Sequence, residues 1–86
     1  MRREAEFFDQ QELSLVYIAK KLKEALTLEE LLTRAEFEYL VEADRYRGGV
    51  IFQTERVGAF FYVVPTEESR VREFLAANGY APWQPA

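Results

Sequence analysis

The stretch Val57-Gly58-Ala59-Phe60-Phe61-Tyr62-Val63-Val64-Pro65 decides the fold of this chain. It is the longest uncharged apolar run in the sequence, and it is rich in β-branched and aromatic residues. Its odd and even positions are both apolar, which predicts a central strand with cover on both faces. Pro65 ends the strand because proline has no backbone N–H to give to a sheet ladder.

Two more strands are predicted before this one. Residues 13–19 (Leu-Ser-Leu-Val-Tyr-Ile-Ala) are apolar on both faces of a strand, but they also fit one long helix over residues 5–26. The density of Val, Tyr, Ile and Leu favours the strand. Residues 37–43 alternate between apolar and largely acidic positions, which is typical of an edge strand with one wet face. We interpret residues 44–56 as an extended hairpin loop that holds a short ladder of its own.

Two helices are predicted from their capping residues. The first follows Thr27, which forms a capping box with Glu30, while Leu26 packs as a staple on Leu31. Its buried stripe is Leu28, Leu31, Leu32 and Ala35. The second helix follows Thr66 as its N-cap. It buries Val71, Phe74 and Leu75, and it ends at Asn78-Gly79 with Tyr80 folded back on Leu75 in a Schellman ending.

The predicted order β-α-β-β-α gives an α+β fold of the ferredoxin-like split βαβ type, an antiparallel sheet with two helices on one face. Both βαβ passes are expected to be right-handed. The first and third strands are central and the second is at an edge. We divide the chain into an N-terminal arm (residues 1–12), one domain (13–80) and a C-terminal tail (81–86). The proline-rich tail is a poor fourth strand, so this edge is open or a second chain fills it. The arm or another subunit is expected to cover the second face of the sheet.

Composition narrows the classes of function. The chain of 86 residues carries a formal net charge of −4, which disfavours a nucleic-acid partner. It has no Cys, so disulfides and thiolate metal sites are excluded, and the reducing cytosol is the expected compartment. We expect no membrane span and no signal peptide. The chain has seven Phe, five Tyr and one Trp, which is more than one small core is expected to bury. Either some of these rings are expected at an oligomer interface, or the Tyr rings are half-buried with hydrated hydroxyls.

The second half of the chain resembles small bacterial signal-transducing domains of undefined function. The resemblance is carried by Ala35-Glu36-Phe37-Glu38-Tyr39-Leu40-Val41-Glu42 and by Tyr62-Val63-Val64-Pro65-Thr66-Glu67-Glu68, with Leu28-Glu29-Glu30-Leu31-Leu32 similar in style to the first helix of those domains. It covers residues 13–80. It implies a ferredoxin-like fold similar to the PII regulatory proteins, with residues 44–56 in the place of their long regulatory loop. Thr66 stands where that family often has an acidic residue.

Candidate chemistry is sparse. No His and no Cys are present, and no metal-ligand spacing or P-loop occurs, so we predict no catalytic residue, no metal site and no cofactor. One cluster stands out as a ligand site: Arg45, Arg47, Gly48, Gly49 and Arg56. Guanidinium groups beside a diglycine suit a phosphate or carboxylate. The alternative is a plain turn with arginines that are solvated or paired with neighbouring carboxylates. Lys20, Lys21 and Lys23 form a second cationic cluster, interpreted as a solvated connection.

Two hypotheses follow for the function. The first is a non-catalytic regulatory or interaction module that self-associates, with a protein partner as a further option. The second is a sensor of an anionic metabolite or nucleotide at residues 44–56. An enzyme is not expected, because the usual acid–base and nucleophilic side chains are missing.

Overall fold

The computed structural model describes residues 1–48 and 54–85 of the chain. The elements follow the predicted order β-α-β-β-α, preceded by a 3₁₀ turn at Ala5–Phe8 and with a second 3₁₀ turn at Pro65–Glu67. The strands and helices are β1 (Ser14–Ala19), α1 (Leu22–Arg34), β2 (Leu40–Gly48), β3 (Thr54–Val63) and α2 (Glu68–Ala77).

The strand that contains Val57–Val63 lies at the centre of the sheet. The strand order is β1-β3-β2 and both pairings are antiparallel. Phe60 pairs with Ile18 on one side and with Glu42 on the other. The fold is therefore α+β of the ferredoxin-like split βαβ arrangement, with the second strand at an edge, as the sequence predicted. Of the two strands predicted to be central only β3 has a strand on each side, because β1 is the outermost strand at the other end of the sheet.

Both helices pack on one face of the sheet and form the core there. Phe61 and Val63 of β3 are fully buried on this face. The cluster consists of Val16, Ala19, Ala25, Leu28, Leu32, Tyr39, Phe61, Val63, Val71 and Leu75. Leu40 and Phe60 are each only 8% exposed but do not belong to this cluster. Alternation along the strands points them to the opposite face, so this chain already shields part of that face.

Residues 14–19 form a strand, so the alternative of one long helix is wrong. The ladder between β1 and β3 shifts register between Leu15 and Tyr17, where β1 holds one extra residue. That residue, Val16, is fully buried in the core. Because of this bulge the consecutive residues Val16 and Tyr17 both pack on the core, which explains why both are apolar.

The first helix begins earlier than predicted, and the capping box at Thr27 is wrong. α1 begins at Leu22 with Lys21 as its N-cap residue, and the Thr27 hydroxyl donates to the Lys23 carbonyl at 3.0 Å inside the helix. The extra turn brings Ala25 into the core, where it is 3% exposed. Leu26 is 56% exposed, so the predicted staple to Leu31 is wrong as well.

The edge strand and the hairpin are longer than predicted. β2 begins at Leu40 rather than at residue 37, and it does not stop at Ala43 but continues to Gly48. Residues 44–48 pair in order with residues 58–54 of β3. The extended hairpin loop predicted at residues 44–56 is therefore wrong for residues 44–48 and 54–56, because the ladder there is not a separate one but the continuation of β2 and β3. The middle of this predicted loop, residues 49–53, lies outside the described residues.

The second helix ends as predicted but begins differently. Thr66 lies inside a 3₁₀ turn without a side-chain cap hydrogen bond, so its role as N-cap is wrong. At the other end Gly79 adopts a φ of 85°, and the Tyr80 N–H donates to the Leu75 carbonyl at 2.9 Å. This is the predicted Schellman ending, which requires a residue that tolerates positive φ.

The arm and the tail occupy the outer edges of the sheet. Residues 1–3 run parallel to the start of β2, and the Arg3 N–H donates to the Tyr39 carbonyl at 2.8 Å. The tail follows the outer edge of β1, where the Trp83 N–H donates to the Val16 carbonyl at 2.8 Å. The edge predicted to be open or filled by a second chain is thus partly occupied by the tail. Within residues 1–48 and 54–85, no helix has the length and apolar character needed to cross a membrane.

Candidate functional site

Two of the candidate arginines, Arg45 and Arg56, lie on opposite faces of the hairpin. Arg45 lies opposite Val57 in the ladder, and Arg56 lies opposite Tyr46. Directly paired residues share a face and consecutive residues alternate, so Arg45 and Arg56 point to opposite faces. The backbones of Arg47 and Gly48 pair with Glu55 and Thr54. Gly49 lies outside the described residues.

Arg45 already has an anionic partner. Its Nη1 lies 3.4 Å from Oε2 of Glu55, with both side chains largely exposed. The paired-arginine alternative therefore holds for this residue. Arg45, Glu55, Arg56 and Val57 line an open depression of about 310 Å³. An anion site at the hairpin stays a prediction, which the described residues support weakly.

A larger opening lies between β1, the start of α1 and the tail. We call it the lysine–aromatic cleft; its volume is about 740 Å³ and it opens to solvent. Its lining residues are Tyr17, Ile18, Lys20, Lys21, Glu24, Tyr46, Ala81 and Trp83. The cleft joins three aromatic rings with two lysines, although these residues are far apart in the sequence.

The aromatic walls of the cleft are held by specific contacts. A Cβ built on Gly58 would lie 3.0 Å from Cε1 of Tyr46 and 3.0 Å from Cγ2 of Ile18, so the Tyr46 ring rests directly on the glycine backbone. Tyr17 packs edge-on against Tyr80 with ring centroids 5.5 Å apart. Burial, followed by the nearby Glu24 carboxylate, raises the pKa of Tyr17, so its hydroxyl stays protonated at neutral pH.

A second opening lies on the helix side of the sheet, beyond the end of the core. We call it the small-residue groove; its volume is about 330 Å³. Its small lining residues are Ala19, Ala25, Ala43, Gly58 and Ala59, and its larger apolar ones are Leu22, Val41 and Val57. Leu22 is 75% exposed and Val57 is 65% exposed. Charges of both signs, among them Arg2, Lys21 and Glu29, complete the lining.

Leu26 extends this apolar surface along α1. It lies four residues after Leu22 and three before Glu29, and these spacings place all three on one side of the helix. Arg2 Nη1 lies 3.3 Å from Oε1 of Glu29, so the arm contributes an ion pair to the same rim. The groove therefore combines protruding leucines, a recess and mixed charges.

The described residues form no metal-ligand cluster. In residues 1–48 and 54–85, no group of three or more acidic, His or Cys side chains stands close enough to hold a metal ion. Over the same residues, no buried side-chain nitrogen or oxygen lacks a hydrogen-bond partner.

Comparisons with known proteins give no relative: no protein-family model, no curated protein and no solved structure matches this chain. The resemblance to small bacterial signal-transducing domains stays a prediction.

Sequence reasoning missed the residues of both openings. Leu26 is predicted as a staple residue and Leu22 has no predicted role. Their spacing of four residues is nevertheless the signal of a second apolar side on a helix that begins at Leu22. Lys20 and Lys21 were noticed as a cluster, but no local pattern connects them with Tyr46 or Trp83.

Proposed function

We propose that this chain is a non-catalytic regulatory module that self-associates through the small-residue groove. The observation that carries the proposal is the exposure of Leu22 and Val57, 75% and 65%, at the rim of a recess lined by alanines and glycine. Large apolar side chains that are exposed together beside a recess are typical of interaction sites.

The occupant that fits best is a second copy of the same chain. A two-fold interface uses the same surface on both subunits, so this surface must hold both the protruding part and the recess that receives it. The groove meets this condition, because Leu22 protrudes next to the space left by Ala43 and Ala59. Its rim also carries Lys21 and Glu29, so a second copy can set opposite charges against each other.

The regulatory part of the proposal rests on the resemblance to small bacterial signal-transducing domains. The absence of His and Cys supports a non-catalytic role, and the net charge of −4 argues against nucleic acid as the partner. A cytosolic setting belongs to the same proposal, since the chain has no cysteine. The alternative, an anion sensor at residues 44–56, has weaker support because Arg45 and Arg56 point to opposite faces.

The proposal is tested by sedimentation equilibrium over a range of protein concentrations. The variant Leu22→Gln keeps good helix propensity but removes the apolar contact. Burying one leucine fully is worth about 1.5–3 kcal/mol, and a two-fold interface contains the residue twice. We therefore expect the dimer to weaken by at least about tenfold, which corresponds to about 1.4 kcal/mol.

The matched control is Ala76→Gln, which places the same residue at an exposed position of α2, away from the groove. It is expected to dimerise like the unchanged chain. A chain that remains monomeric at high micromolar concentration overturns the proposal. So does a Leu22→Gln variant that dimerises as tightly as the control while both keep the same unfolding midpoint.

A further inference from the structure

We propose that the lysine–aromatic cleft binds a small molecule in which a planar ring carries an anionic group, either a phosphate or a carboxylate. This site adjoins the small-residue groove, with which it shares Lys20 and Lys21, and it is separate from the hairpin arginines. Its volume of about 740 Å³ lies within the usual range for small-molecule sites, roughly 300–1,000 Å³.

The rings of the cleft are positioned before any ligand binds. Tyr46 is seated on Gly58 against Ile18, where a Cβ would come within 3.0 Å of both side chains. A seated ring loses little conformational freedom when a second ring stacks on it. Aromatic side chains favour offset-stacked or edge-on contacts with another ring, which accounts for the planar part of the ligand.

The tail that carries Trp83 is anchored from two sides. The backbone N–H of Trp83 donates to the Val16 carbonyl at 2.8 Å, and the backbone carbonyl of Trp83 accepts from Nη1 of Arg72 at 2.5 Å. Arg72 is itself held by Glu68, whose Oε2 lies 2.9 Å from its Nε. These contacts place a half-buried indole in the cleft wall although the tail forms no regular strand.

The lysines account for the anionic group. Every ion pair among the described residues is formed by an arginine or by the N-terminal amine, so Lys20 and Lys21 have no carboxylate within 4.0 Å there. Lys20 Nζ lies 5.6 Å from the centroid of the Tyr46 ring. Two unpaired ammonium groups beside aromatic rings, in a chain with a net charge of −4, form a local site for an anion. The lining also holds one acid, Glu24, so the two lysines leave it with a net charge of +1.

The chain supplies its own reporter, because Trp83 is its single tryptophan. We would follow the indole N–H signal of the isotope-labelled protein by NMR during titration with four probes: adenosine monophosphate, adenosine, benzoate and inorganic phosphate. A saturable shift with adenosine monophosphate or with benzoate, but not with adenosine or phosphate alone, is the expected result. Binding of adenosine monophosphate identifies a phosphate as the preferred anionic group, and binding of benzoate identifies a carboxylate.

Variants distinguish the contribution of the cleft lysines, Lys20 and Lys21, from that of the nearby Lys23. The double variant Lys20→Gln/Lys21→Gln is expected to weaken binding by about tenfold or more, since hydrogen bonds to charged groups are the stronger ones. Lys23→Gln is the matched control, because Lys23 belongs to the same cluster in sequence but does not line the cleft. Raising the salt concentration should weaken binding further, because both lysines are exposed.

Three outcomes overturn the inference. One is the absence of a saturable shift at millimolar concentrations of every probe. The second is equal binding of adenosine and adenosine monophosphate, which would leave the lysines without a role. The third is an equal loss in Lys23→Gln and in the double variant. Lys20 and Lys21 also line the small-residue groove. The titration is therefore repeated on Leu22→Gln, in which the proposed dimer is weakened. Unchanged ligand binding in this variant shows that the cleft binds its ligand independently of dimerisation.

Discussion

The hydroxyl of Tyr39 links the edge strand to the first helix, and its removal is the sharpest test of how the core is held. Tyr39 is 1% exposed, and its hydroxyl donates to the Glu29 carbonyl at 2.8 Å. The Thr33 hydroxyl lies 2.9 Å away. Because the single proton of Tyr39 goes to Glu29, Thr33 must be the donor in the second hydrogen bond.

The variant Tyr39→Phe removes both hydrogen bonds but keeps the ring, which stacks on Phe61 with centroids 6.0 Å apart. A hydrogen bond contributes about 0.5–1.5 kcal/mol net. Thr33 is exposed and regains water, so the expected loss in the free energy of unfolding is about 1–2 kcal/mol. In a domain of this size each kcal/mol lowers the melting midpoint by about 4–8 °C.

The assay is thermal and urea unfolding followed by circular dichroism, and the matched control is Tyr62→Phe. Tyr62 is half-buried on the neighbouring strand, and its hydroxyl has no hydrogen bond to the described residues. We expect this control to change stability by less than about 0.5 kcal/mol. Equal losses in the two variants would refute the assignment of the stability to the Tyr39 hydrogen bonds.

The pH dependence gives a second readout of Tyr39. Burial raises its pKa above the ordinary value of 10.0, and the Thr33 hydrogen bond opposes this shift in part. A phenol with a raised pKa in the folded state stabilises fully below the unfolded pKa, and this contribution is lost as the pH rises through the folded pKa. Burial also raises the pKa of Tyr62. Both single variants should therefore lose less stability between neutral pH and pH values above 10 than the unchanged chain does.

Three further predictions concern the sheet, the tail and the arm. Gly58→Ala is expected to destabilise the fold by about 1–3 kcal/mol in urea unfolding, because the added methyl group enters an occupied space. Arg72→Gln removes one of the two anchors of the tail, so the fluorescence of Trp83 should shift to the red as the indole gains water. Arg3 holds the pKa of Glu38 below its usual value through a hydrogen bond. This contribution to stability is present above the unfolded pKa and is lost as the pH falls through the folded pKa, so Glu38→Gln should flatten the acid limb.

Matched variants distinguish these effects from general damage. For the tail, Arg70→Gln is the control, because Arg70 pairs with Glu67 in the preceding 3₁₀ turn and makes no hydrogen bond to the described part of the tail. An equal red shift in both variants would contradict the anchor. For the sheet, an unchanged midpoint in Gly58→Ala would show that Tyr46 moves aside without cost. For the arm, if stability falls with decreasing pH as steeply in Glu38→Gln as in the unchanged chain, the Arg3–Glu38 contact does not contribute to stability.

The openings of this protein were harder to predict than its fold. Arg45 and Arg56 were predicted to act together because they flank one hairpin, but the register assigns them to opposite faces. The sequence of a predicted loop does not specify a strand register, and without the register one cannot predict which side chains share a face. The groove escaped notice because Thr27 offered a convincing capping box, while the helix begins at Leu22 without a side-chain cap. Burial of Ala25 in the core outweighs a local capping preference.

By itself, the sequence determined the class of the fold. Apolar residues on both faces of Val57–Val63 require a central strand, alternation at residues 37–43 indicates an edge, and Asn78-Gly79 ends the last helix, because each of these signals depends only on neighbouring residues. Only the tertiary structure decided where Trp83 and Tyr46 stand relative to Lys20. Those positions depend on the hydrogen bond from Trp83 to Val16 and on the space above Gly58, contacts between segments that no local pattern relates.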